Sequence, residues 1–387
     1  MLHRTSEDSV VLERVMMIAG EASGDLHGSG VVRELKKRLP NVDIFGIGGD
    51  AMQAEGMELL YHVNNLSVMG FVEVLKHLPV IRDVERSLEH CLDDRHPQIV
   101  VLIDYPGFNL RFAKKAKRRK VKLLYYIGPQ VWAWNKGRIK EMKRYIDQVN
   151  VILPFEADMY RKEGVDAEFV GHPLLERLSS TLTKEEFFRR FNLDPARKLL
   201  ALLPGSRVQE VRNILPTMLN AAERLRNKGL AQGAIGVAPG LPRDLVISLA
   251  ASRRDITLVE DATYALMEHA DAAIVTSGTA TLETALFGTP MIVVYKTSPL
   301  TFFIGKLLVK VPHIGLANIV SGRRVVPEFI QHQMTVESLT HELERMLCDA
   351  SYASRIRADL AIVRTKLGEP GASARVAENV ISLAKAA

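Results

Sequence analysis

Several short segments of this chain join polar or charged residues to glycine in patterns that suit chemistry on hydroxyls and phosphates. Ile103-Asp104-Tyr105-Pro106-Gly107-Phe108-Asn109 places a carboxylate directly after an apolar run, with Pro106 and Gly107 fixing a tight turn behind it. A carboxylate held in a partly desolvated setting suits general-base work; a turn-forming or helix-capping Asp is the plainer reading. Leu203-Pro204-Gly205-Ser206-Arg207 offers backbone amides from a glycine turn and, in Arg207, a fork of donors suited to a diphosphate. Thr276-Ser277-Gly278-Thr279-Ala280-Thr281-Leu282-Glu283 is a polar turn opening a helix, whose amides can take a phosphate. Glu283, one helical turn further in, suits a ribose hydroxyl or a capping box. The last two turns together read most economically as a site for a nucleoside diphosphate.

Two further segments are less specific. Gly20-Glu21-Ala22-Ser23-Gly24-Asp25, followed by Gly28 and Gly30, does not have the spacing of the dinucleotide fingerprint. Gly24 and the amides beside it could still hold an anion or a sugar hydroxyl, while Ser23 and Asp25 serve equally well as helix caps. Trp132 and Trp134, the only tryptophans, follow Gly128-Pro129-Gln130-Val131 beside a basic segment. Their faces suit stacking on sugars or apolar chains, and core packing competes. No Asp-x-Asp pair occurs anywhere, so no metal and no other cofactor is expected, and Arg207 with helix amides would have to neutralise a leaving diphosphate.

These turns need rigid elements to carry them. Arg14 to Ala19, Val42 to Ile47, Gln98 to Ile103, Lys122 to Ile127, Gln148 to Leu153 and Glu168 to Val170 read as strands, with helices between them. Val68 to Leu92 reads as a helix broken near Pro79. Continuously apolar strands alternating with helices indicate a parallel sheet covered on both faces. The pattern restarts at Lys198 to Leu203 and continues through Ala234 to Val237, Ile256 to Leu258, Ala272 to Thr276 and Met291 to Tyr295. The fold class is therefore α/β, with two tandem doubly wound Rossmann-like domains. The expected boundaries are 1–175 for the first domain, 176–197 for a linker, 198–355 for the second domain, and 356–387 for terminal helices packing back on the first. Ligands of such sheets bind beyond the carboxyl ends of the strands, so two facing domains would bring both sets of turns to one cleft.

Composition narrows the class. The chain has 387 residues, 47% hydrophobic and 25% charged, which excludes a disordered or fibrous chain. Its longest uncharged stretch, Leu59 to Val72, is too short for the ~20 residues of a spanning helix. Two distant cysteines, Cys91 and Cys348, and a charged start point to a reducing, cytoplasmic setting. The net charge is only +6, yet Arg111 to Arg144 holds 13 Lys or Arg against one acid, Glu141. Such a block suits phosphates, nucleic acid or an anionic membrane, or is a solvated helix face.

Taken in order, these motifs resemble the lipid-A-disaccharide synthase family. The resemblance adds Val68-Met69-Gly70-Phe71-Val72-Glu73-Val74, Leu316-Ala317-Asn318-Ile319 and Val326-Pro327-Glu328-Phe329-Ile330-Gln331, and runs from about residue 15 to 331. It implies the two-domain GT-B glycosyltransferase fold. It also implies the substrates, UDP-2,3-diacylglucosamine and 2,3-diacylglucosamine 1-phosphate, and an inverting transfer to the acceptor 6-hydroxyl that releases UDP. Asp104 matches the family's essential acid and is the expected base. Gly205, Ser206, Arg207, Gly278, Thr279 and Glu283 match the donor side, with Asn318, Glu328 and Gln331 extending it. Glu21, Ser23, Gly24 and Asp25 match the N-terminal loop of the cleft. Gly107 stands where many relatives carry a second Asp, which leaves Asp104 alone; His27 is the other nearby group weighed as an assistant.

Acylated substrates imply a peripheral protein at the inner face of the inner membrane. The basic block, the apolar face Val68, Phe71, Val72 and Leu75, and Leu300 to Val311 with Phe302, Phe303, Leu307 and Leu308 fit such a surface. Core packing or a homodimer contact is the competing reading of the apolar residues. The alternative function is another GT-B enzyme acting on UDP-N-acetylglucosamine, a 2-epimerase or soluble transferase. A nucleic-acid binder would leave Asp104, Arg207 and Glu283 without a role, so no nucleic-acid partner is expected.

Overall fold

The structure, a computed structural model, describes residues 12–65, 71–132, 137–251, 255–298, 302–303 and 311–386; of residues 65 and 71–78 it describes the backbone only. The chain divides into two units, Met1–Glu176 with Gly368–Ala387, and Arg177–Leu367.

The first unit is built on β1 (Arg14–Ala19), β2 (Asp43–Gly48), β3 (Glu58–His62), β4 (Ile99–Ile103), β5 (Lys122–Tyr126), β6 (Gln148–Val151) and β7 (Ala167–Phe169), all parallel, in the order β3-β2-β1-β4-β5-β6-β7. Its helices are α1 (Ala22–Arg38), α2 (Asp50–Ala54), α3 (Phe71–Arg95), α4 (Pro106–Arg118), α5 (Arg138–Tyr145), α6 (Pro154–Lys162) and α7 (Leu174–Arg177). The second unit orders β8 (Leu199–Leu203), β9 (Gln232–Gly236), β10 (Ile256–Val259), β11 (Ala272–Thr276), β12 (Met291–Tyr295) and β13 (Glu328–Ile330) as β10-β9-β8-β11-β12-β13, again parallel. Its helices are α8 (Lys184–Arg190), α9 (Val208–Asn227), α10 (Arg243–Ala250), α11 (Thr263–His269), α12 (Thr279–Leu286), α13 (Leu316–Ser321), α14 (Val336–Cys348) and α15 (Ala350–Lys366); α16 (Ala372–Lys385) returns to the first unit.

The apolar strands work as two-sided core. In β1, Met16 and Ile18 face one cluster with Val100, Leu102, Leu123 and Tyr125, while Val15, Met17 and Ala19 face the other with Val101, Ile103, Leu124 and Tyr126. The first cluster is closed by Phe108 and Phe112 of α4, and the second by Val31 and Val32 of α1 and Val376 and Val380 of α16. The sheet thus pins the first and last helices to the same face.

Four expectations differ from this fold. Helix α3 runs through Pro79 without a break, because Val84, Leu88 and Leu92 anchor its second half in the core while Pro79 itself is exposed. Strands β3 and β13 are edge strands whose half-exposed residues lack the continuous apolar pattern of the central ones. The segment 176–197 is not a free linker: Phe187 and Phe188 of α8 are buried, and Phe187 packs 5.7 Å from His269 of α11. Only the chain from Gly368 onward joins the first unit, since Ile356, Leu360 and Val363 bury α15 in the second.

Candidate active site

Each sheet reverses its strand order once, and Glu21 and Asp104 lie at one of those points, the turns Gly205 to Arg207 and Gly278 to Glu283 at the other. In the first unit the reversal lies between β1 and β4, where Ala19 pairs in register with Ile103. The next residues along, Gly20-Glu21 and Asp104-Tyr105, therefore lie side by side at the carboxyl edge, the place where open α/β sheets bind ligands. Asp104 and Tyr105 both adopt φ +46°, left-handed values that cost a non-glycine residue on the order of 1–3 kcal/mol each. The turn is secured by Asp104 N–H donating to the Tyr126 carbonyl at 3.0 Å. Asn109 Nδ2 donates to the carbonyls of Ile103 (3.2 Å) and Asp104 (2.8 Å), and the Tyr125 hydroxyl donates to the Asp104 carbonyl as well. Tyr105 lies so close over Gly20 that a Cβ there would sit 2.1 Å from its ring.

Burial pushes the Asp104 carboxyl up to about 6, and the Glu21 carboxylate adds to the effect, against a backbone hydrogen bond from Tyr105 that lowers it. The second acid beside Asp104 thus comes from the end of β1; Gly107 is exposed, with open space where a side chain would go. The rest of the N-terminal loop is committed to the scaffold. Asp25 is buried, and its carboxylate accepts from Gly49 N (2.7 Å), Met52 N (3.0 Å) and Ala51 N (3.1 Å), so it caps α2 rather than its own helix. Gly24 lets α1 pack on β1, with Ala19 Cβ 3.3 Å from where its own Cβ would be. Ser23 is exposed at the helix start. His27 is half-buried and faces His172, which burial, with His27 nearby, holds down to about 3.

In the second unit the reversal lies between β8 and β11, where Leu203 pairs with Val275. Two helix N-termini open there, α9 after Arg207 and α12 after Gly278. Gly205 (φ +98°) and Gly278 (φ +145°) take backbone angles that side-chain-bearing residues avoid. Ser206, Gly278 and Thr279 are exposed. Arg207 keeps 71% of its side chain exposed and pairs with Glu210 at 2.9 Å. Thr276, buried next to Gly205, has a hydroxyl without a hydrogen-bond partner among the described residues. Glu283 accepts from the Tyr264 hydroxyl at 3.0 Å, and burial raises its carboxyl.

Asn318, Glu328 and Gln331 shape this edge through the backbone. Asn318, fully buried, donates to the Val326 carbonyl (2.9 Å) and Glu328 (2.8 Å) and accepts from Val325 N (2.7 Å) and Val326 N (3.0 Å). Glu328 also accepts from Gly315 N at 2.9 Å, and Gln331 makes two bonds to the Thr297 backbone (2.8 and 3.1 Å). Sequence reasoning missed Tyr105, Tyr125, Thr276 and Tyr264. Tyr105 and Thr276 stood inside motifs already singled out, whereas Tyr125 and Tyr264 contribute through partners distant in sequence.

Trp132 donates Nε1–H to Glu156 at 2.8 Å and packs edge-on to Phe155; Trp134 lies outside the described residues. The basic block is partly neutralised within its own unit. Lys115 pairs with Glu85 (3.1 Å) and Glu89, Lys117 with Asp147 (2.6 Å), and Arg119 with Asp93 (2.6 Å). Lys114, Arg118, Lys140, Lys143 and Arg144 remain exposed. Val68 and most of Leu300 to Val311 lie outside the described residues, as do the side chains of Phe71, Val72 and Leu75; Phe303 is 62% exposed.

Two doubly wound units, each with its polar turns at the reversal of strand order, define the glycosyltransferase-like GT-B class. Solved structures agree on the fold. A UDP-GlcNAc 2-epimerase from Neisseria meningitidis bound to UDP-GlcNAc matches with a TM-score of 0.67 at 14% identity, over 95% of this chain and all of that one. The calicheamicin glycosyltransferase matches at 0.62 and 16%, over 96% and 98%. The particular family comes from sequence. The family model described as lipid-A-disaccharide synthetase matches residues 15–378, and the chain belongs to that family. Lipid-A-disaccharide synthases of Geobacter sulfurreducens and Trichlorobacter lovleyi are 45% and 46% identical to it, each over 96% of this chain and 97% of theirs. The chain is therefore a glycosyltransferase of lipid A biosynthesis, and the epimerase alternative is not favoured.

Proposed function

We propose that the protein transfers 2,3-diacylglucosamine from its UDP carrier to the 6-hydroxyl of 2,3-diacylglucosamine 1-phosphate. Asp104 takes the proton of that hydroxyl as its oxygen bonds to the anomeric carbon. The bond from that carbon to the UDP oxygen breaks, and the configuration inverts. The observation that carries this reading is Asp104 itself: a desolvated carboxyl near 6, on a strained turn at the sheet's reversal point. A base with that affinity is mostly ionised at neutral pH and strong enough to accept a proton in the transition state.

On this reading the second unit holds the nucleotide. Arg207 and the amides opening α9 and α12, around Gly205, Ser206, Gly278 and Thr279, take the diphosphate, and Glu283 the ribose. Asn318, Glu328 and Gln331 set the backbone around them. Glu21 and Ser23 border the acceptor, while Gly24 and Asp25 hold their loop. The test is to incubate the purified full chain with both substrates and follow UDP and disaccharide. Product formation that persists in chelator is expected; no transfer between these two substrates would overturn the assignment.

The exposed cations of Arg111 to Arg144 suit a peripheral place on the cytoplasmic face of the inner membrane, and among the described residues no helix is long and apolar enough to cross it. Each such cation near an anionic surface contributes ~1 kcal/mol. Binding to anionic vesicles that weakens as salt rises is expected, and no binding at low salt would remove this part of the proposal.

A further inference from the structure

The base proposed above sits on a turn that its own backbone disfavours, so something must hold it there. Asn109 and Tyr125 come from different elements, the first turn of α4 and the carboxyl end of β5, and converge on one atom, the Asp104 carbonyl oxygen. Asn109 reaches the Ile103 carbonyl as well, so its amide spans the junction between strand and turn. Neither side chain is there for cheap packing. Asn109 is fully buried, and among the described residues its Oδ1 finds no hydrogen-bond partner, a state that costs free energy and that an apolar residue would avoid. Tyr125 is fully buried too, with its ring against the core of the α4 face. What the two polar ends do is fix one peptide group, and with it the direction of the side chain that leaves the adjoining Cα.

We propose that Asn109 and Tyr125 are positioning residues for the transfer reaction, clamping the Asp104 peptide in its left-handed turn so that the carboxylate meets the acceptor hydroxyl. The inference rests on Asp104 being the base. Among the described residues, the charged and titratable groups facing this turn and its clamp are Glu21, at the start of α1, Arg111 of α4, which lies toward Tyr105, and Arg138 of α5 and Tyr160 of α6, which lie toward Tyr125; none of them contacts the clamped carbonyl in the hydrogen bonds above.

The test compares kcat against pH, UDP affinity and melting temperature for wild type, Tyr125→Phe, Asn109→Leu and Asp104→Asn. Tyr125→Phe removes one oxygen and keeps the ring. A displaced reacting group costs up to about 100-fold in rate, so a fall in kcat of roughly 5- to 50-fold is expected, with UDP affinity unchanged. The acidic limb of kcat should also move down from near 6, because a loosened turn lets water reach the carboxyl. A folded Tyr125→Phe protein with wild-type kcat and an unmoved limb would overturn the clamp. So would a kcat loss that comes with an unmoved limb and an equal loss of UDP affinity, since that is general structural damage. If Asn109→Leu fails to fold, Tyr125→Phe alone decides. Asp104→Asn separates the two claims: if it stays active within a few-fold, the base assignment falls, whereas an inactive Asp104→Asn beside wild-type-like clamp variants leaves the base standing and removes the clamp.

Discussion

The two reversal points are alike in topology and opposite in chemistry. In the first unit the strand ends present a desolvated carboxyl with a second acid beside it, on two consecutive left-handed non-glycine residues. In the second they present glycines where left-handed backbone is needed, an exposed arginine and two helix N-termini. One edge stores strain and unfavourable charge, which suits a group that must change protonation during a reaction. The other carries its left-handed angles on glycines and offers backbone amides at two helix N-termini, which suits holding an anion whose charge persists. On the proposed reading, the same architecture serves proton transfer in one copy and binding in the other.

The division can be broken by substitution. The largest expected effect is at the strained edge: Asp104→Asn should lower kcat by about 10²–10⁴-fold, as general-base loss typically does. Steady-state rates with both acylated substrates check this, and activity within a few-fold of wild type would remove the base from the first unit. Next comes Arg207→Ala. A charge-assisted hydrogen bond is worth roughly 1.5–3 kcal/mol, so UDP should bind about 10- to 100-fold more weakly, with no rescue by magnesium. Calorimetry measures it, and unchanged UDP affinity would place the diphosphate elsewhere.

The smallest effect sharpens the electrostatic half of the contrast. As the proposed base, Asp104 would have to be ionised to act, so kcat should rise about tenfold per pH unit below 6 and level off above it. Burial is the larger cause of the raised value and Glu21 the smaller. Glu21→Gln should therefore move the limb down by less than about one unit, leaving it above the ordinary carboxylate range near 4. A full return to that range would make Glu21, not burial, the dominant cause.

The sequence shows the central strands of both sheets because each is a buried apolar run, and it shows the polar turns because glycine, proline and charge follow those runs directly. It hides β3 and β13, where exposure on an edge erases the pattern, and it suggests a break at Pro79 that the buried Val84, Leu88 and Leu92 override. At the sites it identifies residue types but not their partners. Asp25 looks like a cap for its own helix and in fact caps α2, 25 residues on. The resemblance matches Asn318, Glu328 and Gln331 to the donor side, but it does not show that their hydrogen bonds go to the loops around Ile314, Val325 and Thr297. Such roles depend on contacts between segments distant in the chain, which no local pattern encodes.

The most direct test of this division of labour is the UDP affinity of the Asp104→Asn protein, measured by calorimetry beside wild type. If chemistry belongs to the first edge and nucleotide binding to the second, the dissociation constant should stay within about two-fold while turnover collapses. A loss of UDP affinity as large as that of Arg207→Ala would contradict it, because Asp104 would then be serving the nucleotide rather than the acceptor hydroxyl.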